Sequence, residues 1–215
     1  MKRIVLFTDY LALPRVAPEI TYYEDTYPYL LKKEFEVFQF SKGGGLMGDF
    51  IEQSSYYKQY RPDIIILQIV IVDCAPRAFS KVEEILFCSN RLFYSIRRFL
   101  SKTKMSKKIR NVRKLSWTPK QAYRKECEFL ISKFQDSKVY ALSIIPTSED
   151  YEAQVPGISK KICEYNSILQ EVFGDNLIDL SEIPYEGIMS DHHHLTKVGH
   201  QYVYEKIIRK ISPNT

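Results

Sequence analysis

Asp63-Ile64-Ile65-Ile66-Leu67-Gln68-Ile69-Val70-Ile71-Val72 is the stretch whose reading decides the fold. It is almost continuously apolar and largely β-branched. A strand with one face in water alternates apolar with polar residues, whereas a strand covered on both faces does not. The run therefore predicts a central parallel strand over 63–72, with helices packed above and below. Outward from it, shorter runs predict strands over 4–8, 35–40, 138–145 and 176–180. Segments of helical period lie between and after them, over 49–57, 80–100 (one or two helices), 119–134, 159–173 and 196–211. Thr118 ahead of Pro119 reads as an N-cap with proline in the first turn, and Gly174 as a helix stop. Strands alternating with helices predict a flavodoxin-like, three-layer α/β/α fold on a five-stranded parallel sheet.

A chain of 215 residues with 45% apolar composition can bury one sizeable core. With no linker or repeat in view, one domain over 1–215 is expected. The apolar run after Met1-Lys2-Arg3 is too short for a signal peptide, and no stretch approaches the ~20 apolar residues of a membrane span. A cytoplasmic protein is expected, with Cys74, Cys88, Cys127 and Cys163 reduced and largely buried. Their spacing gives no zinc site.

The net charge of +5 conceals an asymmetry. Eleven Lys or Arg and no acid lie between Arg91 and Lys120, leaving the rest of the chain at −6. Segment 91–120 is either a solvated helix end and loop or the seat of an anionic partner. No nucleic-acid-binding module is recognisable in it.

In open parallel sheets, ligands bind at the carboxyl ends of the strands. Three sequence features sit there: Thr8-Asp9-Tyr10-Leu11 after the first strand, Gly43-Gly44-Gly45 after the second, and Asp73-Cys74-Ala75-Pro76-Arg77 after the third. A fourth, Ser190-Asp191-His192-His193-His194-Leu195, leads into the last helix. Successive histidines in a loop do not readily aim three imidazoles at one ion, so no metal is expected, and no cofactor motif is present. Asp9, Asp73 and Arg77 are candidate substrate-binding residues. The tyrosines of 20–29, with Tyr56, Tyr57 and Tyr60, suit either sugar stacking or half-buried packing.

These four blocks, in this order over nearly the whole length, resemble the SGNH/GDSL hydrolases. The flanking Leu11-Ala12-Leu13-Pro14-Arg15, Thr26-Tyr27-Pro28 and Val72-Asp73-Cys74-Ala75-Pro76-Arg77 are similar to a bacterial subgroup associated with surface-polysaccharide biosynthesis. The resemblance implies a serine that attacks an ester carbonyl, with His194 as base and Asp191 orienting it. It also implies an oxyanion hole built from the backbone amide at Tyr10, a glycine amide (Gly44 or Gly45) and an asparagine side chain. Two of these groups are replaced, since Tyr10 stands at the serine position and Val72 at the asparagine position. Tyr10 as an unusual nucleophile, or Thr8, Ser41, Ser54 or Ser55 as substitutes, are the alternatives.

The implied function is a hydrolase or acyltransferase acting on a small-molecule or glycan ester, with classical serine hydrolysis impaired. Two other classes remain open. One is an inactive binding or regulatory protein of the same fold, and the other an anion- or nucleotide-binding module using the glycine loop and the basic segment.

Overall fold

The structure is a computed structural model and describes residues 1–68, 71–89 and 104–212. Five parallel strands form one sheet: β1 (Arg3–Thr8), β2 (Glu36–Ser41), β3 (Ile64–Gln68), β4 (Lys138–Leu142) and β5 (Leu177–Ile178). Their order is β2-β1-β3-β4-β5, with Ile4 beside both Val37 and Ile64 and Thr8 beside both Ser41 and Gln68. This is the three-layer α/β/α fold, with β3 at the centre and every residue of it buried.

The period of two along the strands divides the core. Val5, Phe7, Ile65, Leu67, Val139 and Ala141 point to one side. There they meet α2 (Met47–Lys58), α6 (Lys120–Lys133) and α8 (Ile158–Phe173). Ile4, Leu6, Ile64, Ile66, Tyr140 and Leu142 point to the other, against α1 (Tyr27–Lys32) and α9 (Lys197–Ile211). Alternation on strands that are apolar on both faces is what lets one sheet carry two cores.

The central run departs from expectation at its end. The described part of the strand reaches Gln68, whose carbonyl accepts the Asp9 amide at 3.1 Å, and Ile71–Cys74 forms a helical turn, α3. A buried strand and a buried helical turn are equally apolar, so composition could not mark the change. Residues 69 and 70 lie outside the described residues, as do 90–103, so the helix expected over 80–100 is seen only as α4 (Lys81–Ser89). Within the basic segment, α5 (Lys104–Arg113) is helical, while α7 (Glu149–Gln154) falls in a stretch with no helical signal.

Thr118 does not cap α6. Pro119 takes the cap position, and the Thr118 hydroxyl turns to the Asp73 carboxylate instead. Gly174 ends α8 at φ +52°, as the sequence predicts. Cys74 and Cys127 are buried, but Cys163 is exposed. Among the described residues, no helix is long and apolar enough to cross a membrane.

Candidate active site

The blocks after β1 and β2 leave the carboxyl ends of their strands through short, well-tied turns. After β1, the buried Asp9 caps a single 3-10 turn, Tyr10–Ala12, its Oδ1 accepting the Leu11 amide at 2.8 Å. Its Oδ2 is buried without a partner, and burial pushes the carboxyl up to about 7. The turn lays the half-buried Tyr10 ring across the imidazole of His194, with centroids 4.8 Å apart and planes tilted 54°. Burial raises the phenol well above its ordinary range, and the charges of Asp9 and Tyr151 add to this against Arg77 and Arg15. Tyr10 is therefore a neutral phenol here, not a phenolate.

The last block is a tight loop closed by an antiparallel bridge between Ile188 and Leu195 and by the Met189 amide donating to the His194 carbonyl at 2.8 Å. His192, at its tip, takes the left-handed φ of +68° that lets the chain reverse. The loop is pressed onto the start of α9, where Gly199 meets Gly187 so closely that a Cβ on Gly199 would lie 2.0 Å from the Gly187 oxygen. Asp191 Oδ1 accepts the amides of His193 (3.3 Å) and His194 (3.1 Å), which fixes the carboxylate. Its Oδ2 accepts His194 Nδ1–H at 2.5 Å.

That bond assigns the proton to Nδ1 and leaves Nε2 as the basic atom. Burial pushes the His194 imidazole down to about 4, more than the Asp191 hydrogen bond pulls it up. For Asp191, burial acts upward, but the hydrogen bonds from the His194 ring and amide outweigh it and the carboxyl falls. The pair at neutral pH is a neutral imidazole on a carboxylate, in the state a general base needs. His194 is only 5% exposed, and its Nε2 is buried without a partner.

The glycine block forms a turn closed by the Gly45 amide donating to the Lys42 carbonyl at 3.0 Å, with Gly44 at φ +67°. Gly45 spends its amide in this turn, and a Cβ there would come within 2.9 Å of the Phe50 ring. Gly45, one of the two expected oxyanion donors, thus has its amide engaged within the turn.

Asp73, expected among the substrate-binding residues, has no exposed surface and holds two elements together. Its oxygens accept the Met47 amide at 3.3 Å and the Thr118 hydroxyl, and burial pushes it up to about 7. Arg77 forms no ion pair with Asp73. Its guanidinium lies 4.0 Å over Trp117 and donates to the Val72 carbonyl at 3.2 Å, while its Nε is buried and unpartnered. Of the substitute nucleophiles, the Thr8 and Ser41 hydroxyls bond to each other and Ser54 bonds to the Ile51 carbonyl at 2.6 Å, while Ser55 is exposed on α2.

Two residues here carried no signal in the sequence. Tyr151, on α7, stacks on His193 at 5.2 Å and 31°, extending the aromatic layer over the pair. Glu19 accepts the Ser190 amide at 3.0 Å and anchors the loop from outside. Beside the loop, a cavity of about 400 Å³ is lined by Ser148, Tyr185, Met189 and His192. Among the described residues, Asp191, His193 and His194 bring ligand atoms within 4.8 Å of one another. Both histidines, however, commit Nδ1 to Asp191, so an ion bound through those atoms would have to break the dyad.

No protein-family model matches the chain, and no curated protein matches it in sequence. Solved structures do match in fold. A lipase/acylhydrolase from Enterococcus faecalis shares 16% identity over 98% of this chain and 95% of its own, with a TM-score of 0.66. An acetyl xylan esterase shares 15% over 97% and 99%, at 0.63. A member of the lipolytic protein G-D-S-L family from Veillonella parvula shares 11% over the whole of both chains, at 0.61. The chain has the α/β/α fold of the GDSL/SGNH lipases and esterases.

Proposed function

We propose that this chain is an SGNH/GDSL-type hydrolase or acyltransferase that handles an ester, an O-acyl group on a glycan, at the carboxyl edge of its sheet. Residues 1–215 act as one domain in the cytoplasm, in bacterial surface-polysaccharide biosynthesis. The single observation that carries the reading is the 2.5 Å bond from His194 Nδ1 to Asp191, which leaves Nε2 as an oriented, neutral base. Fold analogy to an acetyl xylan esterase supports the ester and the glycan only as analogy.

With no serine at position 10, His194 serves best as a base on an incoming hydroxyl. Nε2 takes the proton from water or from an acceptor alcohol, and that oxygen attacks the acyl carbon. The amides of Tyr10 and Gly44 hold the oxyanion. Collapse breaks the bond to the leaving oxygen, which receives the proton back from Nε2. Water gives hydrolysis and an alcohol gives acyl transfer, and neither needs an acyl-enzyme. Tyr10 must turn off His194 for either, and with Tyr10 at the serine position and Val72 at the asparagine position classical serine hydrolysis is impaired.

That same ring favours a second reading, a catalytically inactive binding or regulatory protein of the same fold, because it seals the base from solvent. Turnover of short-chain aryl esters and of an O-acetylated glycan, with His194→Ala beside the natural chain, separates the two. A fall of roughly 10²–10⁴ in the variant supports the base. No turnover, with a thermal shift on adding the O-acetylated glycan, supports the binder.

A further inference from the structure

Between α5 and the start of α8 lies a cavity of about 350 Å³ that the ester chemistry leaves unused. Arg110 and Lys114 line it from α5 and the residue after it, and Lys160 and Lys161 from the first turn of α8. Two carboxylates share the wall, and both are already occupied. Glu152 accepts the amides of Gly157 and Ser159 and the Ser159 hydroxyl, at 2.5–2.9 Å, and Glu164 pairs with Lys120 at 3.4 Å. None of the four cations has an ion pair among the described residues. Their neighbours do find partners, Arg113 on Glu83 and Lys107 on the Ala153 carbonyl, the second tying α5 to α7.

This arrangement is unfavourable without an anion. Arg110 and Lys161 are half-buried, so each gives up part of its hydration without an ion pair in return. Lys160 and Lys161 also stand in the first turn of a 16-residue helix that carries no acid there, where the helix dipole disfavours cations. Four cations against two carboxylates leave an excess of two positive charges, the complement of a phosphate dianion. The volume leaves room for part of the molecule that carries it.

The cavity also borders the candidate active site through two pairs of adjacent residues. Tyr151 stacks on His193 while Glu152 lines the cavity; Arg77 bears on Tyr10 while Pro76 lines the cavity. The charge of Arg110 is felt by both Tyr151 and Arg77.

We infer that this cavity binds the phosphate or diphosphate group of a small molecule. That its occupant is the substrate whose acyl group reaches His194 rests on the function proposed above; the phosphate site itself does not.

Titration calorimetry on the full chain, with pyrophosphate and a hexose phosphate as probes and glucuronate at matched ionic strength as comparison, tests the site. The variants are Lys160→Gln, Arg110→Gln and Lys125→Gln, the last removing the same charge from an exposed position outside the cavity. Saturable one-to-one binding of pyrophosphate is expected, weakened roughly tenfold by either cavity variant and unchanged in Lys125→Gln. Circular dichroism on each variant checks the fold, and Lys160, being exposed, stands in should Arg110→Gln fail to fold. No pyrophosphate binding, an equal loss in Lys125→Gln, or glucuronate binding as tightly as pyrophosphate would each overturn the assignment. Tighter, cavity-dependent binding of single-stranded RNA would overturn the small-molecule occupant. Calorimetry reads no turnover, so failure of the ester reading leaves a positive result standing. Conversely, His194-dependent turnover without pyrophosphate binding defeats only the phosphate site.

Discussion

Replacing Tyr10 by serine should do three measurable things at once, and each can be sized from the site. The ring is half-buried and packs on two imidazoles, at 4.8 Å from His194 and 5.9 Å from His193. Removing a fully buried aromatic costs about 3–5 kcal/mol, so a half-buried one should cost about 2 kcal/mol. In a chain of this length that is a Tm lower by roughly 4–8 °C. Second, uncovering Nε2 removes the burial that is the largest influence on His194. Its imidazole should return from about 4 toward its ordinary 6.5, held up further by the Asp191 bond. Third, under the proposed function the new serine finds its base in His194 but no side-chain donor at Val72. Its ester turnover should be His194-dependent and ~10²–10³ below that of a site with a complete oxyanion hole.

The assay is an NMR titration of the four histidines, with His194 assigned by His194→Gln, alongside short-chain aryl-ester turnover. A His194 titration that stays near 4 in Tyr10→Ser is the outcome that overturns this assignment. Burial by the ring would then not be what holds it down.

Other consequences concern the frame. Gly199→Ala would press a Cβ into the Gly187 carbonyl and should cost about 3 kcal/mol, read as a Tm fall of roughly 6–12 °C. Asp73 has a folded pKa raised to about 7, so its contribution is complete below about 3.8 and is lost as pH rises toward 7. By urea unfolding, the stability of Asp73→Asn relative to the natural chain should therefore rise by up to about 1.4 kcal/mol per pH unit as pH increases from 4 to 7. The buried His200, pushed down to about 4, acts in the opposite direction: its contribution is complete above about 6.5 and is lost as pH falls toward 4. His200→Gln should accordingly lose less stability on acidification through that window than the natural chain does.

Much of this molecule could be read from residue patterns, and the failures share a cause. The five strands were legible because their apolar runs have no competing explanation, and α8 and α9 because their periodicity spans several turns. Ile71–Cys74 was not, because burial on all sides erases the difference between strand and helix. The partnership of Thr118 with Asp73 is not legible for a related reason. Each has the composition of a cap or a ligand-binding end, and each is spent on the other across 45 residues of chain, a pairing no local rule contains. The Asp191–His194 spacing was legible because both bonds that define it are made within three residues. Tyr151 sits in a polar stretch and becomes part of the site only through the packing of α7 against the loop.

The position of Tyr10 ties the chemistry to the electrostatics. A histidine on a carboxylate at the surface would be drawn upward in pKa and spend part of its time charged, when it cannot act as a base. Under the Tyr10 ring, His194 stays neutral far below physiological pH, and the cost of burial falls on the protonated form alone. Under the proposed function, Tyr10 therefore both stands where the classical nucleophile would be and keeps the base unprotonated. A serine placed at position 10 without that cover would face a more basic but partly protonated histidine below pH 7. The two effects oppose, so turnover in Tyr10→Ser should rise with pH through the new His194 pKa and level off above it. A flat profile from pH 5 to 8 would mean that the base had kept its dry surroundings without the ring, and that Tyr10 covers the site without tuning it.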